Sequence, residues 1–103
     1  NHVDWSGYPD CRPEFIESMQ RAAETGTRAG AEGRAPAIRA PLLAMRKAEI
    51  ILLARSLGLD LARTVSCYDA DAEGRACGRC DSCALRRRGF AEAGVEDPTR
   101  YRA

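Results

Sequence analysis

Apolar residues recur with helical period in two stretches of the chain. Between Pro13 and Thr25, residues Phe15, Ile16, Met19, Ala22 and Ala23 share one helical face, and Pro13 suits a first turn. From Arg46 to Leu57, residues Ile50, Leu53, Ala54 and Leu57 repeat the pattern while Ile51 and Leu52 widen it, which predicts a well-buried helix. Gly58 then stands where helices commonly end in a left-handed residue. A third helix is expected to start at Asp81 or Ser82, both good N-caps, and to end at Gly94. The first dozen residues carry the turn signals Ser6-Gly7, Tyr8-Pro9 and Asp10. The stretch from Gly26 to Pro36 lacks an apolar period and reads as a loop. Ala37 to Ala40 reads as a short buried strand stopped by Pro41. No repeat, low-complexity tract or linker marks a second domain.

At 103 residues the chain has room for one small domain or part of a larger one, with a thin core that a staple would help. A hydrophobic fraction of 45% and a charged fraction of 30% are globular rather than disordered values. Sixteen Lys+Arg against fifteen Asp+Glu leave a net charge of +1, which gives no bulk electrostatic reason to expect nucleic acid or anionic lipid. No apolar run approaches the ~20 residues of a membrane span, and nothing at the N-terminus has the layout of a signal peptide. A cytoplasmic protein is expected. The chain opens on Asn1 rather than Met, which leaves room for an upstream portion.

The cysteines change the picture most. Four of the five lie between Cys67 and Cys83 in the spacing C-x9-C-x2-C-x2-C. Two-residue gaps turn neighbouring thiolates inward on one ion, and the longer gap returns Cys67 as a fourth ligand. An oxidised secreted domain would show an even count spread along the chain, so metal is preferred over disulfides. Four thiolates close the coordination sphere, which makes zinc at Cys67, Cys77, Cys80 and Cys83 structural. Arg75, Arg79, Arg86 and Arg87 lie close enough in sequence to offset part of its charge. The competitor is an iron–sulfur cluster, although ferredoxin-type runs continue to a further Cys and Pro that are absent here.

Cys11 stands apart, either as a small buried side chain or as a reactive thiol beside a helix N-terminus. His2 is a lone loop histidine without a chemical role, Trp5 and Tyr8 read as packing residues, and Arg86–Arg88 read as a solvated helix face.

Three blocks closely resemble the C-terminal part of the 7-cyano-7-deazaguanine synthase family. They are DWSGYPDCRPEF (Asp4 to Phe15), PLLAMRKAEI (Pro41 to Ile50), and SCYD with ACGRCDSCALRRRGFAEAG (Ser66 to Gly94). The resemblance implies an α/β pyrophosphate-loop fold, Rossmann-like and akin to the adenine nucleotide alpha hydrolases. These residues would be its mostly helical C-terminal part, with 67–94 as the zinc-binding segment. It implies an ATP-dependent ligase of queuosine biosynthesis that converts 7-carboxy-7-deazaguanine and ammonia into the nitrile. In that reaction ATP activates the carboxylate, ammonia gives an amide, and a second activation leads to dehydration. It also carries the expectations of Mg2+ with the ATP, a homodimer, and neither membrane nor nucleic acid as partner. The four clustered cysteines would be the zinc ligands.

Asp10, Cys11 and Arg12 would lie on the deazaguanine or its carboxylate, since an arginine fork suits a carboxylate. The bland alternative has Asp10 capping the helix and Arg12 in solvent. Lys47 would meet phosphate near a helix N-terminus, or else be an exposed helix lysine. No residue is assigned a catalytic role. The family's SGGxDS loop for ATP is absent, so the N-terminal half is expected in cis or from a partner chain. Without it, the apolar Ile50–Leu53 surface should favour self-association. Two other readings remain: a tRNA-thiolating pyrophosphate-loop enzyme with an iron–sulfur cluster, and a non-enzymatic zinc module.

Overall fold

A proline at a helix start gives up an amide hydrogen that has no intrahelical partner, and the first helix begins on one. The computed structural model describes residues 1–102. They divide into two units, Asn1–Met45 and the residues from Arg46 onward.

In the first unit, 3-10 turns at His2–Ser6 and Pro9–Cys11 lead into helix α1, Pro13–Gly26. Asn1 caps the first turn by accepting a hydrogen bond from the Val3 amide at 3.1 Å. The stretch read as a loop after Gly26 holds a further helical turn, α2, Arg28–Ala31. Thr27 accounts for it, because its hydroxyl accepts from the Gly30 amide at 2.9 Å as an N-cap does. The strand expected at Ala37–Ala40 does not form. A side chain of α1 stands where a neighbouring strand would: the Ile38 amide donates to Gln20 Oε1 at 2.8 Å, and Gln20 Nε2 donates to the Pro36 carbonyl at 3.2 Å. No residue of this unit is fully buried, and the α1 face carries Phe15 and Met19 largely exposed.

In the second unit, α3 spans Lys47–Ser56 and α4 spans Asp81–Ala93, and the two pack together. Glu49 closes the start of α3 by accepting from the Arg46 amide at 2.6 Å. Both helices end at the expected glycines, Gly58 and Gly94; both are left-handed, as expected for Gly58, and each has the paired 6→1 and 5→2 amide bonds that satisfy the last carbonyls. The N-cap of α4 is Cys80 rather than Asp81 or Ser82. Gly89 lets α3 approach: a Cβ there would sit 2.5 Å from Lys47 Cγ and 3.2 Å from Ile51 Cδ1. Contrary to the expectation of a well-buried helix, only Ala48 and Ile51 of α3 are buried, because α4 covers one side alone. Leu52, Leu53 and Leu57 remain exposed.

The buried face of α4 is Ser82, Cys83, Arg86, Gly89 and Phe90. Arg86 therefore belongs to the interior, not to a solvated face, with 6% of its surface exposed. Its guanidinium donates to Thr99 Oγ1 at 2.6 Å, Ser66 Oγ at 3.0 Å, Thr64 Oγ1 at 3.0 Å and the Leu61 carbonyl at 3.1 Å. It also stands 3.9 Å from the Asp97 carboxylate and 5.2 Å from the centre of the Phe90 ring. No buried side-chain nitrogen or oxygen among the described residues lacks a partner. The tail returns to the metal-loop segment through a parallel bridge: the Ala76 amide meets the Arg100 carbonyl and the Arg102 amide meets the Ala76 carbonyl, both at 2.8 Å. No strand ladder forms among the described residues, and no helix is long and apolar enough to cross a membrane.

Replacing Arg86 by Met leaves several buried acceptors unpaired and is expected to cost ~3 kcal/mol. Thermal unfolding should show a midpoint lowered by more than about 10 °C, and a fall of only a degree or two would contradict this account. Asp97 adds a pH dependence. Burial pushes its pKa up, but hydrogen bonds from Thr99 and Tyr101, with Arg86 nearby, outweigh that and hold it below the usual carboxylate value. A folded pKa below the unfolded one stabilises the protein above the unfolded value of about 4, and that contribution is lost as pH falls through the folded value. Urea unfolding at pH 5 and pH 3 should show the acid loss in the native protein, and a smaller one in Asp97→Asn.

Candidate metal centre

Four cysteines reach one point because two polar networks shape the chain around them. Ser66, which precedes Cys67, is gripped twice: its hydroxyl accepts from Arg86, and its carbonyl accepts from Ser82 Oγ at 2.6 Å. Cys77 follows Ala76, the residue fixed by the bridge to the tail. Cys80 is the N-cap of α4 and Cys83 lies in its first turn. Between Cys77 and Cys80, Gly78 takes φ +75°, and a Cβ there would lie 3.0 Å from a guanidinium nitrogen of Arg87. Arg87 donates to the Gly78 carbonyl at 2.7 Å and lies 4.0 Å above the Tyr101 ring centre.

The four Sγ atoms lie within 4.8 Å of one another, and those of Cys67 and Cys80 are 3.9 Å apart. Thiolates ~2.3 Å from a tetrahedral ion stand roughly 3.8 Å apart, so the quartet fits one ion. A four-iron cluster puts each thiolate on its own iron and spreads them farther. Among the described residues this is the one cluster of potential metal ligands, and it contains no histidine or carboxylate. All-sulfur donors at tetrahedral spacing are compatible with zinc.

Backbone amides supply the positive ends of dipoles around these sulfurs. Cys67 Sγ accepts from the Cys77 amide at 3.2 Å and the Asp69 amide at 3.3 Å, while Cys77 Sγ accepts from those of Cys80 at 3.4 Å and Arg79 at 3.5 Å. The amides of Arg79 and Cys80 bring the Cys77 thiol down to about 6. Backbone hydrogen bonds at Tyr68 and Cys83 also lower that of Cys80. Burial pushes the Cys83 thiol up to about 12. A bound dication would displace each remaining proton.

Three of the four arginines expected to balance the centre, Arg75, Arg86 and Arg87, have other partners. Arg75 pairs with Asp71 at 2.7 Å and lies 3.4 Å from Glu73, and Arg86 and Arg87 are held as described above. The guanidinium that does sense the cluster is Arg102, which bonds Asp69 at 2.6 Å and whose pKa is raised first by Asp69 and further by Cys77. Beyond its charge, nothing in the local pattern around Arg102 marks it for this place.

Asp10 and Cys11 fall in the turn Pro9–Cys11, and Arg12 is the N-cap position of α1. Asp10 therefore does not cap α1. Arg12 is not simply solvated, since its Nε donates to the Trp5 carbonyl at 2.7 Å. Trp5 packs as expected, its ring 4.6 Å from that of His2 and its Nε1 bonded to the Leu43 carbonyl at 3.2 Å. Lys47 is the first residue of α3 in the other unit, its stem against Gly89.

The family profile of queuosine biosynthesis protein QueC matches residues 1–94. Curated proteins named 7-cyano-7-deazaguanine synthase match 98% of the chain. The protein of Thiobacillus denitrificans is 64% identical over 101 residues, that of Ectopseudomonas mendocina 63%, and that of Pseudomonas syringae pv. syringae 58%. The chain spans about half the length of these relatives, 45%, 45% and 44% respectively.

Removing the metal is expected to unfold the segment from Cys67 to Gly94, because a closed tetrathiolate site contributes on the order of 10 kcal/mol to folding. Circular dichroism during chelator titration measures this, and an unchanged spectrum after verified metal loss would refute it. Loading zinc at pH 7 should release at least one proton per ion, from the buried Cys83 thiol. Titration heats that do not vary with the ionisation enthalpy of the buffer would contradict that.

Proposed function

Since the chain belongs to the queuosine biosynthesis protein QueC family, we propose that it serves the ATP-dependent conversion of 7-carboxy-7-deazaguanine and ammonia to 7-cyano-7-deazaguanine. The observation that carries this reading is 58–64% identity over nearly the whole chain to proteins bearing that synthase's name. The reaction replaces a carboxylate by a nitrile through an amide, with ATP and Mg2+ activating oxygen as a leaving group twice. No SGGxDS loop occurs in these 103 residues, so the phosphate cradle is assigned to the rest of the synthase, in cis or in a partner.

In this reading Cys67, Cys77, Cys80 and Cys83 hold zinc. The ion supplies a rigid fourfold crosslink and no open coordination position, so it takes no part in the chemistry. Arg12 has its Nε on the Trp5 carbonyl, which orients the guanidinium and leaves its terminal nitrogens for the substrate carboxylate. Asp10 and Cys11 stand beside it as substrate contacts. Lys47, at the first turn of a helix, is suited to phosphate because the helix N-terminus favours anions there.

Assayed with ATP, Mg2+, ammonia and 7-carboxy-7-deazaguanine, the complete synthase carrying these residues should yield the nitrile by mass spectrometry. The 103-residue chain alone should yield none. Absence of product from the complete protein would overturn the function, and product from the chain alone would overturn the place given to ATP. In the complete protein Arg12→Ala should lower kcat/KM by ~30- to 1,000-fold with little change in Tm. Kinetics equal to those of the native enzyme would remove Arg12 from the site.

A further inference from the structure

We propose that a cleft in the Asn1–Met45 unit seats the flat deazaguanine ring, with the Asp10 carboxylate reading its 2-amino and N1–H edge. The proposal rests on the synthase reading and adds the substrate's subsite to it. The cleft has a volume of about 330 Å3 and is bounded by Asp10, Cys11, Ile16, Pro41, Leu42 and Leu43 among others. That size lies at the lower end for small-molecule sites, ~300–1,000 Å3. Apolar side chains from α1 and from the 40–43 turn face it, which suits the two faces of a fused heterocycle.

Its walls are fixed by backbone bonds. The Leu43 amide donates to Ala40 at 3.1 Å, that of Met45 to Leu42 at 3.2 Å, that of His2 to Met45 at 3.2 Å, and that of Cys11 to Tyr8 at 2.9 Å. Trp5 Nε1 adds its bond to the Leu43 carbonyl. A site held in this way does not have to be ordered by its ligand.

Asp10 supplies the specificity. It is exposed at the rim of the cleft, and among the described residues its carboxylate has no hydrogen bond and no ion pair, which leaves both oxygens for a ligand. A carboxylate has two acceptor oxygens in a fork and no donor. The aminopyrimidinone edge of a guanine-type base presents two N–H groups side by side, which match that fork. An adenine-type edge, which alternates donor and acceptor, does not. Cys11, half-buried in the same lining, is the one cysteine outside the metal cluster and so reports on occupancy of the cleft.

The test uses the complete synthase, first with a substrate analogue lacking the 2-amino group. The native enzyme should favour 7-carboxy-7-deazaguanine over the analogue by at least about 30-fold in kcat/KM, and Asp10→Asn should shrink that preference to within about threefold. A role for Asp10 in folding alone would lower both substrates equally. The second arm follows alkylation of the Cys11 peptide by iodoacetamide. Saturating 7-carboxy-7-deazaguanine should slow it more than tenfold in the native enzyme. An active enzyme whose preference survives Asp10→Asn would overturn the proposal while sparing the function. So would a Cys11 that substrate does not protect. A Cys11 that is unreactive without substrate, because other protein fills the cleft, would overturn it too. An enzyme that makes no nitrile would overturn the function itself.

Discussion

The second unit is organised around one buried cation. Arg86 projects from α4, the helix that carries Cys83, and its donors end on Leu61, Thr64 and Ser66 on one side and Thr99 on the other. The first group leads the chain into Cys67, and the second begins the tail that clamps Ala76 beside Cys77. A guanidinium taken out of water is costly unless each donor finds an acceptor with good geometry. The same cost penalises every alternative path for these segments, because another arrangement would leave the cation or its acceptors unmet. Arg86 therefore contributes less to net stability than to the choice of one shape, and that shape places the thiols.

A metal crosslink complements so polar an interior. Among the described residues the buried apolar side chains amount to Ala48, Ile51, Ala76, Cys83 and Phe90, too few to hold a loop of this length by burial alone. The apolar surface of α3 and α1 points elsewhere, with Leu52, Leu53, Leu57, Phe15 and Met19 exposed. Exposed apolar patches often mark surfaces suited to contact with other protein. The curated relatives, more than twice as long as this chain, have the additional residues to make such contact.

The parts legible in the sequence were those with a single physical cause. Pro13 and the α1 period, the left-handed glycines Gly58 and Gly94, and the cysteine spacing each depend on a local rule. The family, too, was legible in the blocks around Asp10, Lys47 and the cysteines. The α4 stripe was not, although Ser82, Cys83, Arg86, Gly89 and Phe90 keep a helical period. Its residue types conceal it, since a serine, an arginine and a glycine announce a surface unless their partners, far along the chain, are known. Ala37–Ala40 failed for a related reason. Its composition suited a strand, but Gln20 offered its backbone a different set of bonds. Thr27 was a cap signal in plain view, overshadowed by three nearby glycines.

The bridge between Ala76 and Tyr101 has a consequence for how the protein is made. A ribosome delivers all four thiols before it delivers Asp97, Thr99 and Tyr101. During that interval Arg86 lacks its tail acceptors and Ala76 its backbone partners, so the bonds to Ser66 and Gly78, and the thiols themselves, are left to hold the loop closed. Metal capture at that stage would act as the nucleus on which the later residues dock. The order of synthesis would thus give a bound ion a second role, as a placeholder for contacts the nascent chain has not yet received.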